Sequence, residues 1–180
     1  IKYLFPKAHA VAYCMMAFRI AWFKVYHPLA FYAAYFYRRS QKGGFDAGLM
    51  TKGIDVVKAN IEAIDNNENA TDKDEDLLTT LEVCYEFYLR GYEFLPIDLY
   101  KSQATRFVVE DGKIRLPFVA ISGLGENAAF DLVRGREGKN FISIEEVAAA
   151  CPKVSKTHVQ MLKDAGAFGD LPDTSQVSLF

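Results

Sequence analysis

The sequence predicts a mainly α chain with a small β element, on three observations. Apolar residues recur at three- and four-residue spacing through most of the first 90 positions, the pattern of helices with one buried stripe. Between residues 94 and 116 that period gives way to short apolar runs on either side of Asp111-Gly112, a pair suited to a tight hairpin turn. After Pro117 short helical patterns return, separated by glycine-containing turns.

The first helical pattern begins at Lys7, with His9, Tyr13, Met16, Ile20 and Phe23 on one face and Pro6 suited to the first helical position. Pro28 restarts a second helix through Tyr32 and Tyr35, and the two are expected to pack together. Residues 38–44, Arg-Arg-Ser-Gln-Lys-Gly-Gly, read as a loop. A third helix carries Met50, Ile54, Val57, Ile61 and Ile64, and residues 65–76 form a polar, acidic connector. A fourth helix takes Asp74 or Asp76 as N-cap, buries Leu78, Leu81, Cys84, Tyr85 and Tyr88, and ends with Gly91 in a C-cap position. Phe94, Ile97 and Leu99, then residues 106–109 and 113–116, supply the β element. Short helices are expected over residues 127–134, 143–150 and 156–163, and residues 170–180, with Pro172 and no amphipathic period, extend as a tail.

With 180 residues, 51% of them apolar and 24% charged, the chain has material for one sizeable core or two small ones. Its apolar stretches lie between Lys7 and Arg19 and between Lys24 and Arg38, broken by His9, His27 and Pro28, so neither reaches the roughly 18 residues of a membrane span. The three cysteines, Cys14, Cys84 and Cys151, show neither metal-ligand spacing nor an even count, which fits a reducing cytoplasm and argues against a zinc site. The chain starts inside a helical pattern without an initiator Met or a signal peptide, and reads as part of a longer one. Its net charge of −2 conceals segregation: residues 1–58 carry nine basic and two acidic side chains, residues 59–100 two and eleven, and residues 101–163 ten and seven. A polyanionic partner and ordinary solvated helix faces both account for that pattern.

Three constellations bear on function. Phe5-Pro6-Lys7-Ala8-His9 places two basic groups in a helix first turn, where the dipole disfavours cations unless an anion joins them. On chemistry alone, a solvated Lys7 and a packed His9 is the preferred account. Ile121-Ser122-Gly123-Leu124-Gly125-Glu126-Asn127 is a helix-hairpin-helix pattern, in which two glycines let the backbone bend and turn N–H groups towards a phosphate while Leu124 anchors the loop. Pro152-Lys153-Val154-Ser155-Lys156 is a weaker second copy with Lys and Ser in place of the glycines. An ordinary interhelical turn would look similar, but Lys139, Lys153 and Lys156 tilt the reading towards non-specific, salt-dependent DNA binding. Finally, Gln176-Val177-Ser178-Leu179-Phe180 combines a polar anchor with an apolar pair, either a peptide ligand for a shallow groove or a frayed terminus.

Taken in order, Tyr-Leu-Phe-Pro-Lys-Ala-His-Ala (residues 3–10), Phe-Lys-Val-Tyr-His-Pro-Leu (residues 23–29), Gly-Leu-Gly-Glu-Asn (residues 123–127), Val-Ser-Lys-Thr (residues 154–157) and the closing Gln-Val-Ser-Leu-Phe resemble the C-terminal end of the PolC-type alpha subunit of bacterial DNA polymerase III. The resemblance covers essentially the whole chain. It implies a fingers-type helical bundle over residues 1–91, a β-containing connector over 92–116, a helix-hairpin-helix duplex-binding domain over 117–171 and an extended clamp-binding tail over 172–180. It implies a template-directed DNA polymerase as the full-length protein and an inactive segment by itself. It also implies that no catalytic residue or metal ligand lies here, because the family's palm carboxylates, which hold two Mg²⁺ ions, would lie upstream of Ile1, as would a proofreading exonuclease.

The resemblance reverses the preference at the first helix: Lys7 and His9 would contact the triphosphate of an incoming deoxynucleotide. Gly123, Leu124, Gly125, Glu126 and Asn127, with Lys153, Ser155 and Lys156, would hold primer-template DNA. Gln176, Ser178, Leu179 and Phe180 would bind the β sliding clamp, and no membrane is involved. The rival is a non-catalytic helix-hairpin-helix DNA-binding adaptor with a clamp-binding tail, in which the aromatic helices serve as core.

Overall fold

Prolines and glycines set the helix boundaries. The computed structural model describes residues 6–41 and 43–175. Helix α1 (Lys7–Tyr26) stops at His27, and Pro28 opens α2 (Pro28–Ser40) at a position where its missing N–H is not needed. Pro6 stands one place earlier than expected, at the N-cap of α1 with ψ 138°, and its carbonyl accepts the N–H groups of His9 and Ala10. The single helix expected across Met50 to Ile64 is two, α3 (Ala47–Met50) and α4 (Ile54–Asp65), because Gly53 sits between them at φ +99°, outside any helical conformation.

Helix α5 (Asp72–Leu89) is capped by Thr71 rather than by Asp74 or Asp76. The Thr71 hydroxyl accepts the Asp74 N–H at 3.3 Å while the Asp74 carboxylate accepts the Thr71 N–H at 2.9 Å, so the aspartate fills the third helical position of a capping box. At the far end Gly91 takes φ +78°, with its own N–H on Tyr88 and that of Tyr92 on Phe87, the Schellman arrangement the glycine predicts.

Strands β1 (Phe94–Leu95), β2 (Val108–Glu110) and β3 (Lys113–Arg115) form a sheet in the order β1-β3-β2, parallel between β1 and β3 and antiparallel between β2 and β3. Asp111 and Gly112 both adopt positive φ, 51° and 77°, as the two-residue hairpin requires. Ile97 and Leu99 are buried in irregular chain instead of a strand. Helices α6 (Glu126–Gly135), α7 (Ile144–Ala150) and α8 (Lys156–Asp164) follow within a residue of the expected bounds, after a 3-10 turn at Phe118–Ala120. The described residues are thus mainly helical, with one small sheet.

The core is aromatic where α2 and α5 meet the sheet. Phe87 stacks on Phe94 with centroids 4.5 Å apart, Phe36 lies 5.7 Å from Phe87, and Phe45 bridges Phe36 at 5.2 Å and Phe107 at 5.0 Å. The apolar cluster continues through Leu116, Phe118 and Leu132 to Leu162. Arg136, the residue that follows α6, donates to the Leu99 carbonyl and covers the Phe118 ring, and the Leu99 N–H donates to the Ala167 carbonyl at 2.8 Å, so residues 92–116 are joined to the last three helices by more than chain continuity. The extended C-terminal segment is itself tied down at first: the carbonyls of Pro172 and Asp173 accept the Ile144 and Glu145 N–H groups at the start of α7.

Helices α1 and α2 do meet, but α1 leaves its own apolar stripe open: none of its residues is buried, and Phe18 is 76% exposed. The helix is held by α2 and at its last turn, where Lys24 pairs with Glu86 of α5 at 2.6 Å and Arg90 donates to the Lys24 carbonyl. Periodicity reports that a helix has an apolar face; it does not report where the covering surface lies.

At the hairpin, Arg115 is buried and clamps Glu110 with two N–H···O bonds of 2.5 and 2.8 Å while donating a third to the Pro96 carbonyl. The guanidinium holds the Glu110 carboxyl down at about 2. A depressed carboxylate contributes stability above its ordinary pKa of 4.5 and loses it as pH falls towards about 2. Urea midpoints measured from pH 5 to pH 2 are therefore expected to fall less steeply for Glu110→Gln than for the parent; parallel curves would remove this pair from the acid response.

Candidate nucleic-acid interface

The first hairpin is built from a turn and a helix start. The Leu124 N–H donates to the Ile121 carbonyl at 3.1 Å, and Gly123, third in that turn, takes φ +90°, the mark of a type II turn that favours glycine. Leu124 is buried and anchors the loop, as the apolar residue between two glycines should. Gly125 then caps α6 at φ −72°, ψ 162°, and offers no side chain to the first turn. As a result the N–H groups of Gly123, Gly125, Glu126 and Asn127 find no acceptor among the described residues. Gly125 is open to solvent, with nothing within 4 Å of where a Cβ would project. Four free donors at the start of a helix make a ready anion site.

Thirty residues on, the chain repeats the construction. The Val154 N–H donates to the Cys151 carbonyl at 2.9 Å, Val154 is buried as Leu124 is, and Ser155 caps α8 at φ −73°, ψ 166°. The second copy therefore has hairpin geometry although it lacks both glycines. Here Ser155 closes a capping box with His158: its hydroxyl accepts the His158 N–H at 3.2 Å and Nδ1 of His158 accepts the Ser155 N–H at 3.3 Å. The Lys156 and Thr157 N–H groups remain without an acceptor among the described residues. The side chains of Lys139, Lys153 and Lys156 are exposed.

The residue that sequence reasoning missed is Asp131. It is 2% exposed on α6, accepts the Lys153 N–H at 2.8 Å, and pairs with Arg134 on the adjacent surface. The Lys153 N–H, with the help of Arg134, holds its carboxyl below the usual range. The signal was present in the sequence: Asp131 falls on the stripe defined by Ala128, Leu132 and Gly135, and a carboxylate on a buried face demands a partner.

Lys7 and His9 lie in the first turn of α1, both exposed, with the His9 ring 4.6 Å from that of Tyr13. Residues 176–180, which carry the Gln-Val-Ser-Leu-Phe motif, lie outside the described residues. Burial pushes the Cys84 thiol up to about 12 and raises that of Cys151, so neither is poised as a nucleophile. Among the described residues no group of three or more His, Cys, Asp or Glu side chains is placed to hold a metal ion. No helix among them is long and apolar enough to cross a membrane.

Comparison with known proteins bears on both halves. The helix-hairpin-helix motif family matches residues 91–177, a span that contains both turns and the sheet. Over the whole chain the sequence is 44% identical to the DNA polymerase III PolC-type of Thermotoga maritima and 46% identical to those of Clostridium perfringens and Streptococcus thermophilus. In each case all of this chain is covered but only 12–13% of the relative, so it spans about an eighth of their length. Matched from end to end at this identity, with the helix-hairpin-helix geometry in place, the chain belongs to the PolC-type DNA polymerase III family, as a segment of such a protein.

Proposed function

We propose that this segment grips duplex DNA by its sugar-phosphate backbone within a DNA-directed DNA polymerase, without reading base sequence. The observation that carries the reading is the pair of equivalent hairpin turns, each ending at a helix start whose N–H groups lack acceptors among the described residues. Phosphate oxygens satisfy such donors, and the lysines around the second turn add charge that neutralises the backbone at any sequence. The chemistry of nucleotide transfer belongs to carboxylates and Mg²⁺ elsewhere in the longer protein. In the same reading Lys7 and His9 meet the triphosphate of the incoming deoxynucleotide, and Gln176, Ser178, Leu179 and Phe180 tether the polymerase to the β sliding clamp, raising its effective concentration at the primer end.

The test is Gly125→Asp. Its backbone conformation and open surroundings accept an aspartate, itself a good N-cap, so stability is expected to stay within a few tenths of a kcal/mol. A carboxylate placed where a phosphate should sit is expected to weaken duplex binding by the intact polymerase about tenfold or more at moderate salt, and to flatten the salt dependence. Unchanged affinity would set the phosphate reading aside. The finer assignments have their own readouts: Lys7→Ala should raise the nucleotide KM, and truncation after Ser175 should abolish capture by purified β clamp.

A further inference from the structure

The two hairpins are not merely similar; they exchange partners. Shifted by thirty residues, Gly123 corresponds to Lys153 and Asp131 to Met161. Met161 of α8 packs against Gly123, its Cε 3.1 Å from where a Cβ would stand, while Asp131 of α6 accepts the N–H of Lys153 at 2.8 Å. Each helix thus supplies, from the same position, the residue that lies against the third position of the other hairpin's turn.

The difference between the pairs has a physical cause. Gly123 adopts positive φ, whereas no residue from Cys151 to Ser155 does, so the first turn is of type II and the second matches type I. These types differ by a flip of the central peptide, whose N–H belongs to the third residue. In the first hairpin that N–H has no acceptor among the described residues; in the second it points at the interior. A buried N–H without an acceptor would be costly, and an apolar residue such as methionine at position 131 would leave it so.

We propose that Asp131 is a positioning residue for phosphodiester binding, which replaces the missing glycine of the second hairpin by holding its flipped peptide. With that peptide held, the Lys156 and Thr157 N–H groups, the Ser155 hydroxyl and the two lysine side chains present one fixed face to a phosphate oxygen. This rests on the duplex-gripping reading above. Asp131 does not itself touch DNA: it is buried, and Arg134 and the Lys153 amide absorb its charge.

The experiment compares Asp131→Leu, Asp131→Asn and the double variant Asp131→Met with Lys153→Gly in the intact polymerase, reading duplex affinity against salt concentration and thermal midpoint. Asp131→Leu is expected to weaken binding about tenfold and to reduce the slope of log affinity against log salt by about 0.9, one phosphate contact. Asp131→Asn retains an acceptor oxygen and should restore binding. The double variant imports the first hairpin's pair, so it should fold and bind better than Asp131→Leu even though it lacks a lysine. If Asp131→Leu fails to fold, the double variant decides, and equal failure there overturns the proposal. Parent-like affinity and slope for Asp131→Leu, while Gly125→Asp still weakens binding, would also overturn it and leave the duplex reading intact. Unchanged binding in both would instead remove the duplex reading itself.

Discussion

Replacing Phe87 with alanine is expected to lower the unfolding free energy of the 180-residue chain by about 3–5 kcal/mol. Phe87 is fully buried on α5 and meets Tyr32, Phe36, Tyr92 and Phe94 at centroid distances between 4.5 and 5.7 Å. Those rings come from α2, the loop after α5 and β1, so the cavity left behind lies where the helical half meets the sheet. The surrounding rings cannot collapse into it, because each is already held by edge-to-face or stacked neighbours. Urea unfolding measures the loss, and Phe87→Leu should recover much of it by refilling volume. A loss below about 1 kcal/mol for the alanine variant would mean that this cluster is not the centre of the core.

The second large effect is at Gly135, the last residue of α6. A Cβ there would lie 2.4 Å from Sγ of Cys151 and 3.1 Å from the carbonyl oxygen of Ala150, both at the end of α7. Glycine lets the two helices touch backbone to backbone, and the chain leaving that contact is the second hairpin turn. Gly135→Ala is expected to cost about 1–3 kcal/mol or more through overpacking, despite alanine's better helix propensity. Because Cys151 begins the turn, duplex affinity should fall in the same variant. Cys151→Ala removes the nearer obstacle, so the pair of changes together should be less destabilising than the sum of each alone, a coupling that a double-mutant cycle measures. Strict additivity would show that the close approach is not what glycine serves there.

How much of this was legible in the sequence follows from the range of each interaction. The Asp111-Gly112 hairpin, the Gly91 helix stop, the break at Pro28 and the three short C-terminal helices were all readable, since each depends on dihedral preferences of one or two residues. The sequence offers Asp74 and Asp76 as caps where the structure uses Thr71, because both residue types cap well and only geometry says which one stands outside the helix. The break between α3 and α4 is not legible, because the apolar spacing from Met50 to Ile64 runs on through Gly53, whose positive φ interrupts the backbone without disturbing the pattern. In the candidate site, Gly123, Leu124 and Gly125 are legible from spacing alone; the stripe of α6 marks Asp131 as a carboxylate in need of a partner, but which turn it and Met161 meet is not legible, since each acts more than twenty residues away in sequence.

By itself the sequence determined most helix boundaries, that a small β hairpin separates two helical parts, and which short segments have the composition to turn tightly between helices. These are local properties, decided by backbone sterics and by hydrogen bonds a few residues long. Only the tertiary structure decided that α1 keeps its apolar face open among the described residues, and that a buried carboxylate on α6 accepts a turn N–H of the hairpin which lacks glycine. Whether a polar or apolar side chain is stabilising depends on what lies across from it, and that neighbour is brought there by packing rather than by sequence order.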